Sequence, residues 1–200
     1  MDRKPTILIV PGLRDHVSAH WQTLIASEIP KSVTVPPLLQ DKLDCSARVA
    51  ALEATFQSID GPVVIVAHSA GVMITVQWQK RLNRVIQGAL LAAPPDFEMP
   101  MPAGYSSMEI LEANGWFPVP KARLPFPSIV AASRNDPLAS FERVSRIADA
   151  WGSQLVDLGN VGHLNPKSGF GPWPRAHELI AELTGLSSST SPTRLNVKCE

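Results

Sequence analysis

The stretch Val63-Val64-Ile65-Val66-Ala67-His68-Ser69-Ala70-Gly71-Val72-Met73-Ile74 decides the fold. Its first half is a short β-branched run of the kind that parallel sheets bury on both faces, and its second half opens an apolar helical pattern over 71–82. Between them stands Ala67-His68-Ser69-Ala70-Gly71, a G-x-S-x-G pattern with alanine in the first glycine place. A strand that turns sharply into a helix needs small residues around the turn, because neighbouring backbone leaves no room for a larger side chain. Ser69 stands at that turn, beside a helix N-terminus whose N–H groups and positive dipole end favour a developing negative charge. The bland alternative is that Ser69 only caps the helix, and five-residue patterns with one substitution also arise by chance.

Working outward, the same alternation recurs. Strands are predicted over 6–10, 33–35, 63–67, 85–92, 128–132 and 155–158, and helices over 16–29, 47–59, 71–82, 141–151 and 173–183. This pattern implies a three-layer α/β sandwich: a central, mostly parallel sheet of about six strands with helices on both faces. Ligands in such sheets sit beyond the carboxyl ends of the strands, so functional residues should follow strands. The stretch 94–127 breaks the rhythm with crowded prolines and with Phe97, Tyr105, Trp116 and Phe117; apart from a short helix over 107–114, it reads as a cap or rim over the active face. Residues 1–185 are expected to form one domain, and 186–200, rich in Ser and Thr, a disordered tail.

Composition excludes several classes of function. The chain has 200 residues, is 44% hydrophobic and has 18 basic against 18 acidic residues, enough for one core and with no net field to gather nucleic acid or anionic membrane. No apolar run approaches the ~20 residues of a membrane span, and the run 7–10 is too short for a signal peptide, so a cytoplasmic address is expected. Cys45 and Cys199 have no metal-ligand spacing and read as free thiols. His16 and His20 lie four apart, but nothing completes a zinc pattern, so no metal site is expected.

Two further segments bear on chemistry. Asp136 follows the strand 128–132 in Ser133-Arg134-Asn135-Asp136-Pro137, and His163 follows the last strand in Gly159-Asn160-Val161-Gly162-His163. Taken singly, Asp136 before a proline is a good helix cap and a loop histidine is usually just solvated. Together, Ser, Asp and His each lie a few residues past a separate strand, in the chain order of α/β-hydrolases. A serine hydroxyl is a weak nucleophile, so an imidazole must take its proton and a carboxylate must hold the imidazole tautomer. Asp96, after the fourth strand, rivals Asp136 for the acid, and Asp157 does so more weakly. The N–H groups of Ala70 and of Leu13, in the loop Pro11-Gly12-Leu13-Arg14-Asp15, are the expected oxyanion donors. His68, though it adjoins Ser69, is assigned to packing or rim polarity. Trp21, Trp116 and Trp173 are candidate pocket-lining residues.

These residues also carry a resemblance. Val10-Pro11-Gly12 with His20-Trp21-Gln22, His68-Ser69-Ala70-Gly71, Ala93-Pro94-Pro95-Asp96, Ser133-Arg134-Asn135-Asp136-Pro137, Gly162-His163-Leu164-Asn165 and Gly169-Phe170-Gly171-Pro172-Trp173-Pro174 resemble the small serine hydrolases related to retinoblastoma-binding protein 9 and the bacterial YdeN proteins. The resemblance spans about residues 6–184 and implies Ser69, Asp136 and His163 as the triad, deciding Asp136 over Asp96. It implies hydrolysis of small esters, and in some members of amino-acid esters or peptides, without a cofactor. Two positions depart from the family: Ala70 stands where leucine is common, and Ala47 stands where a retinoblastoma-pocket ligand needs glutamate, so that partner is not carried over. The expectation is a serine hydrolase acting on a small ester or amide through an acyl-Ser69 intermediate. The alternative is a hydrolase-fold binding protein that uses the aromatic, Met-rich rim. Oligomeric state is left open.

Overall fold

The computed structural model describes residues 4–15 and 17–185; His16, Cys199 and the expected tail 186–200 lie outside the described residues. Six strands, β1 (Thr6–Val10), β2 (Ser32–Thr34), β3 (Val63–His68), β4 (Gly88–Ala92), β5 (Ser128–Ala132) and β6 (Gln154–Asp157), form one sheet in the order β2-β1-β3-β4-β5-β6. Every pairing is parallel, with Ile9 opposite Val66 and Ala67 opposite Leu91 in the centre. The order reverses at β1, whose successor β2 lies on one side while β3 lies on the other. The loops that leave β1 and β3 therefore diverge and open a crevice between them.

The period-two alternation of β3 shows how the layers are built. Val63, Ile65 and Ala67 face α2 (Cys45–Gln57), α3 (Ala70–Trp78) and α5 (Phe141–Trp151), packing with Leu52, Phe56, Val76 and Trp151. Val64 and Val66 face α1 (Trp21–Glu28) and α6 (Arg175–Leu183), packing with Trp21, Ile25, Leu179 and Ile180. Both faces are dry, which is why the strands read as continuous apolar runs. Much of the 94–127 stretch extends the first of these cores through Phe97, Leu111, Trp116, Val119, Leu124 and Phe126, with α4 (Met108–Ala113) as its regular element.

Several boundaries differ from the sequence expectation, for local reasons. The fourth strand begins at Gly88, not at 85, because the Arg84 guanidinium turns inward to the carbonyls of Phe56, Ile59 and Gly61 and leaves Val85 88% exposed. The first helix begins at Trp21, not at 16, because His20 is extended and its Nδ1 accepts the Gln22 N–H as a cap. The third ends at Trp78 and continues as a 3-10 turn over Gln79–Arg81.

Gly71 sets how closely α3 approaches the sheet. A Cβ there would overlap the Val10 carbonyl oxygen and lie 2.8 Å from that of Pro11, both of them backbone atoms. Alanine for glycine normally stabilises a helix by about 0.5–1 kcal/mol. At this position the sign should reverse: Gly71→Ala is expected to cost roughly 1–3 kcal/mol as an overpacked contact, measured by urea unfolding. A neutral or stabilising result would contradict the close approach.

Candidate active site

Ser69 has φ 56° and ψ −129°, a backbone conformation that costs a non-glycine residue about 1–3 kcal/mol. Its hydroxyl makes no cap to α3, which removes the bland reading of this serine. The hydroxyl instead donates to His163 Nε2 at 2.8 Å. His163 Nδ1 donates to Asp136 Oδ2, also at 2.8 Å. A carboxylate only accepts, so Nδ1 carries the hydrogen and Nε2 offers its lone pair to the serine. The His163 and Asp136 side chains are 5% and 3% exposed, which strengthens both bonds by keeping water away. Asp136 does not cap a helix as its place before Pro137 suggested: α5 begins at Phe141 with Ser140 as its cap, and Asp136 Oδ1 instead accepts the Leu138 N–H at 2.9 Å, which closes a local turn.

Asp96 is removed from the chemistry, because it is ion-paired to Arg143 in the rim. Asp157 is likewise paired, accepting from Arg134 Nε at 2.8 Å. The loop after β1 lies against the serine: a Cβ on Gly12 would sit 3.3 Å from Ser69 Cβ and 3.6 Å from its Oγ. The Ala70 N–H is the first of α3, among those that a helix leaves without an internal acceptor. Among the described residues the Leu13 N–H also has no acceptor. Buried Arg48, reaching across from α2, braces this loop by pairing with Asp15 and hydrogen bonding to the Lys42 carbonyl at 2.9 Å.

The His163 loop is tied down residue by residue. The Val161 N–H donates to Ser133 Oγ, the Gly162 N–H to Asn135 Oδ1 and the His163 N–H to Ser168 Oγ, at 3.2, 2.7 and 3.0 Å. Ser133 and Asn135 belong to the same segment as Asp136, so the His163 and Asp136 loops are fastened to each other. On the other side, Gln22 Nε2 bridges the Val10 and Val66 carbonyls at the ends of β1 and β3, at 3.2 and 3.0 Å. None of these polar residues had been singled out as functional. The sequence does carry a signal for them: Arg48 and Gln22 are polar side chains on apolar helix faces, and Gln22, Ser133 and Asn135 stand in segments that carry the family resemblance.

Above Ser69 lies a cavity of about 280 Å³, lined by apolar groups that include Leu13, Phe97, Met101, Tyr105, Leu111 and Leu138. The three tryptophans expected there are elsewhere. Trp116 is fully buried in the core against Phe97, with its N–H on the Leu43 carbonyl at 2.8 Å. Trp21 is 1% exposed and packs edge-on against Trp173 with centroids 4.8 Å apart, on the α1 and α6 face of the sheet. Large aromatics contribute most when fully desolvated, and here the core claims Trp21 and Trp116, with Trp173 half-buried against the same face as Trp21.

A family model described as serine hydrolase matches residues 7–182. The chain belongs to this serine hydrolase family. Among solved structures, a YdeN-like hydrolase of Pectobacterium atrosepticum is 29% identical, with TM-score 0.76 over 92% of each chain. The ydeN gene product of B. subtilis is 16% identical, with TM-score 0.67 over 90% of this chain and 99% of that one. Est1E of Butyrivibrio proteoclasticus, solved with ferulic acid bound, shares the fold at 11% identity, with TM-score 0.64 over 94% of this chain and 88% of that one. No curated protein matches the sequence. Among the described residues no helix is long and apolar enough to cross a membrane. Cys45 is buried and free, and burial, followed by Asp44, pushes its thiol up to about 11.

The site also holds two buried histidines beside His163. Burial, then the neighbouring His163, push His20 down to about 4 from its ordinary 6.5. Burial, then His163 and His20, push His68 well below its ordinary value. Both are neutral when folded but take protons readily when unfolded, so the stability they contribute is present above pH 6.5 and lost as pH falls, for His20 down to about 4. Tm is therefore expected to drop below pH 6.5. His20→Asn, which keeps a capping acceptor, should flatten part of that slope relative to wild type in thermal melts; identical slopes would contradict this account.

Proposed function

We propose that the chain hydrolyses small carboxylic esters through an acyl intermediate on Ser69, with His163 as general base and Asp136 as the group that orients it. The observation that carries this reading is the continuous hydrogen-bonded chain from Ser69 Oγ through His163 to Asp136, placed at the floor of an apolar cavity.

The steps follow from the geometry. Ser69 Oγ attacks the ester carbonyl carbon while its proton passes to His163 Nε2, and Asp136 stabilises the imidazolium that results. The carbonyl oxygen becomes an oxyanion held by the Leu13 and Ala70 N–H groups, each donor being worth about 10²–10³ in kcat. Collapse breaks the bond to the leaving alkoxide, which takes the proton back from His163. Water, deprotonated by the same imidazole, then releases the acid and restores Ser69.

Cavity size and lining limit the substrate. Sites for drug-sized ligands run about 300–1,000 Å³, so a cavity of about 280 Å³ suits a short or medium acyl group. Amide or amino-acid ester cleavage uses the same machinery, and the matching p-nitroanilides, assayed beside the p-nitrophenyl esters, read the ratio of amide to ester turnover. The binding-protein alternative has less support, since Phe97 and Trp116 of the 97–117 stretch are 5% and 0% exposed and are spent on the core, which leaves Met99 and Ile110 as its large exposed apolar side chains.

The test is p-nitrophenyl acetate and butyrate hydrolysis, with fluorophosphonate labelling. Wild type is expected to turn over and to be labelled, while Ser69→Ala, His163→Ala and Asp136→Asn each fall by roughly 10³–10⁶ in kcat. An inert, unlabelled wild type, or a Ser69→Ala variant that retains activity, would sink the proposal.

A further inference from the structure

His68 is the last residue of β3 and the immediate neighbour of Ser69, yet its side chain takes no part in the proton path. It is 4% exposed, and its Nε2 lies 2.9 Å from the His163 carbonyl oxygen. That oxygen can only accept, so Nε2 carries the hydrogen and donates it. With the His163 N–H on Ser168 Oγ, both main-chain polar groups of His163 are held by side chains.

We propose that His68 is a positioning residue: by tying the His163 carbonyl to the strand that carries Ser69, it sets the reach between imidazole and nucleophile. This rests on the Ser69, His163 and Asp136 reading above. The bonds from Val161 and Gly162 fasten the histidine loop to the Asp136 loop, which registers base to acid. They leave the distance from base to nucleophile unset. Among the described residues, two hydrogen bonds join the 158–170 loop to β3 or the serine turn: the reactive Ser69 to His163 bond, and the His68 bond.

The surroundings of His68 fit this task. Its alternation in β3 sends it to the face of Val64 and Val66, where Trp21 meets it edge-on at 5.9 Å and the His20 ring lies 4.6 Å away. These contacts restrict ring rotation. The His163 ring centroid is 5.0 Å from that of His68, so a positive charge on His68 would oppose the imidazolium formed during catalysis. A neutral N–H donor fixes the loop without that penalty, and burial keeps the ring neutral.

The experiment compares kcat, KM, fluorophosphonate labelling rate and Tm for wild type, Ser69→Ala, His68→Leu, His68→Gln and His68→Asn on p-nitrophenyl acetate. Glutamine places a carboxamide N–H where Nε2 stands, whereas asparagine falls one methylene short. Misplacing a reacting group by an ångström costs about 10²-fold, so His68→Leu and His68→Asn are expected to lower kcat and labelling roughly 10–100-fold with KM little changed. His68→Gln should recover most of that loss. Comparing glutamine with asparagine keeps the test sharp if the leucine variant folds poorly. Equal activity for these two, or a folded His68→Leu variant with the kcat of wild type, overturns the positioning role even if Ser69→Ala is dead. Activity retained in Ser69→Ala instead overturns the triad reading beneath it.

Discussion

The structure depends on the close approach of α3 to the end of β1. Gly71 lies against the backbone carbonyls of Val10 and Pro11, and only the absence of a side chain allows it. That approach forces the chain to reverse within one residue after β3, which puts Ser69 at φ 56°. The local strain of about 1–3 kcal/mol is offset by burial of the flanking strand and helix, both essentially inaccessible to solvent. In return the hydroxyl makes no bond to its own helix, and Ala70, the first residue of α3, lines the same cavity. A relaxed cap conformation would have spent the hydroxyl on the helix.

Sheet order then does the assembly. Because β2 and β3 lie on opposite sides of β1, the crevice at their carboxyl ends receives the Gly12 loop and the serine turn together. Asp136 and His163 arrive from β5 and β6, neighbours in the sheet, whose loops are cross-linked by Ser133 and Asn135. Arg48 and Gln22 brace the other flank. Ser69, Asp136 and His163 thus stand in short segments that follow strand ends, and the polar side chains around them hold the backbone in place.

Much of this was legible in the sequence. β-branched runs fixed the strand positions to within a few residues, and the Ser, Asp and His positions after separate strands named the three residues that the structure brings within hydrogen-bond reach. What was not legible depends on neighbours distant in the chain. Nothing near Arg84 reveals that it folds onto the carbonyls at the end of α2 and so shortens β4. Trp116 lies in a proline-rich stretch that looks like a rim, and only the packing of Phe97 and the carbonyl of Leu43 make it core. His68 reads as an incidental neighbour of the serine, because its partner, the His163 carbonyl, lies 95 residues away. Backbone acceptors carry no sequence signature.

The most direct measurement is a rapid quench of wild type with p-nitrophenyl acetate, followed by intact-mass analysis and peptide mapping. The account predicts a burst of nitrophenol matched by one acetyl group, carried on the peptide that contains Ser69. Nitrophenol released without any acetylated protein, or an acetyl group on another residue, would contradict it.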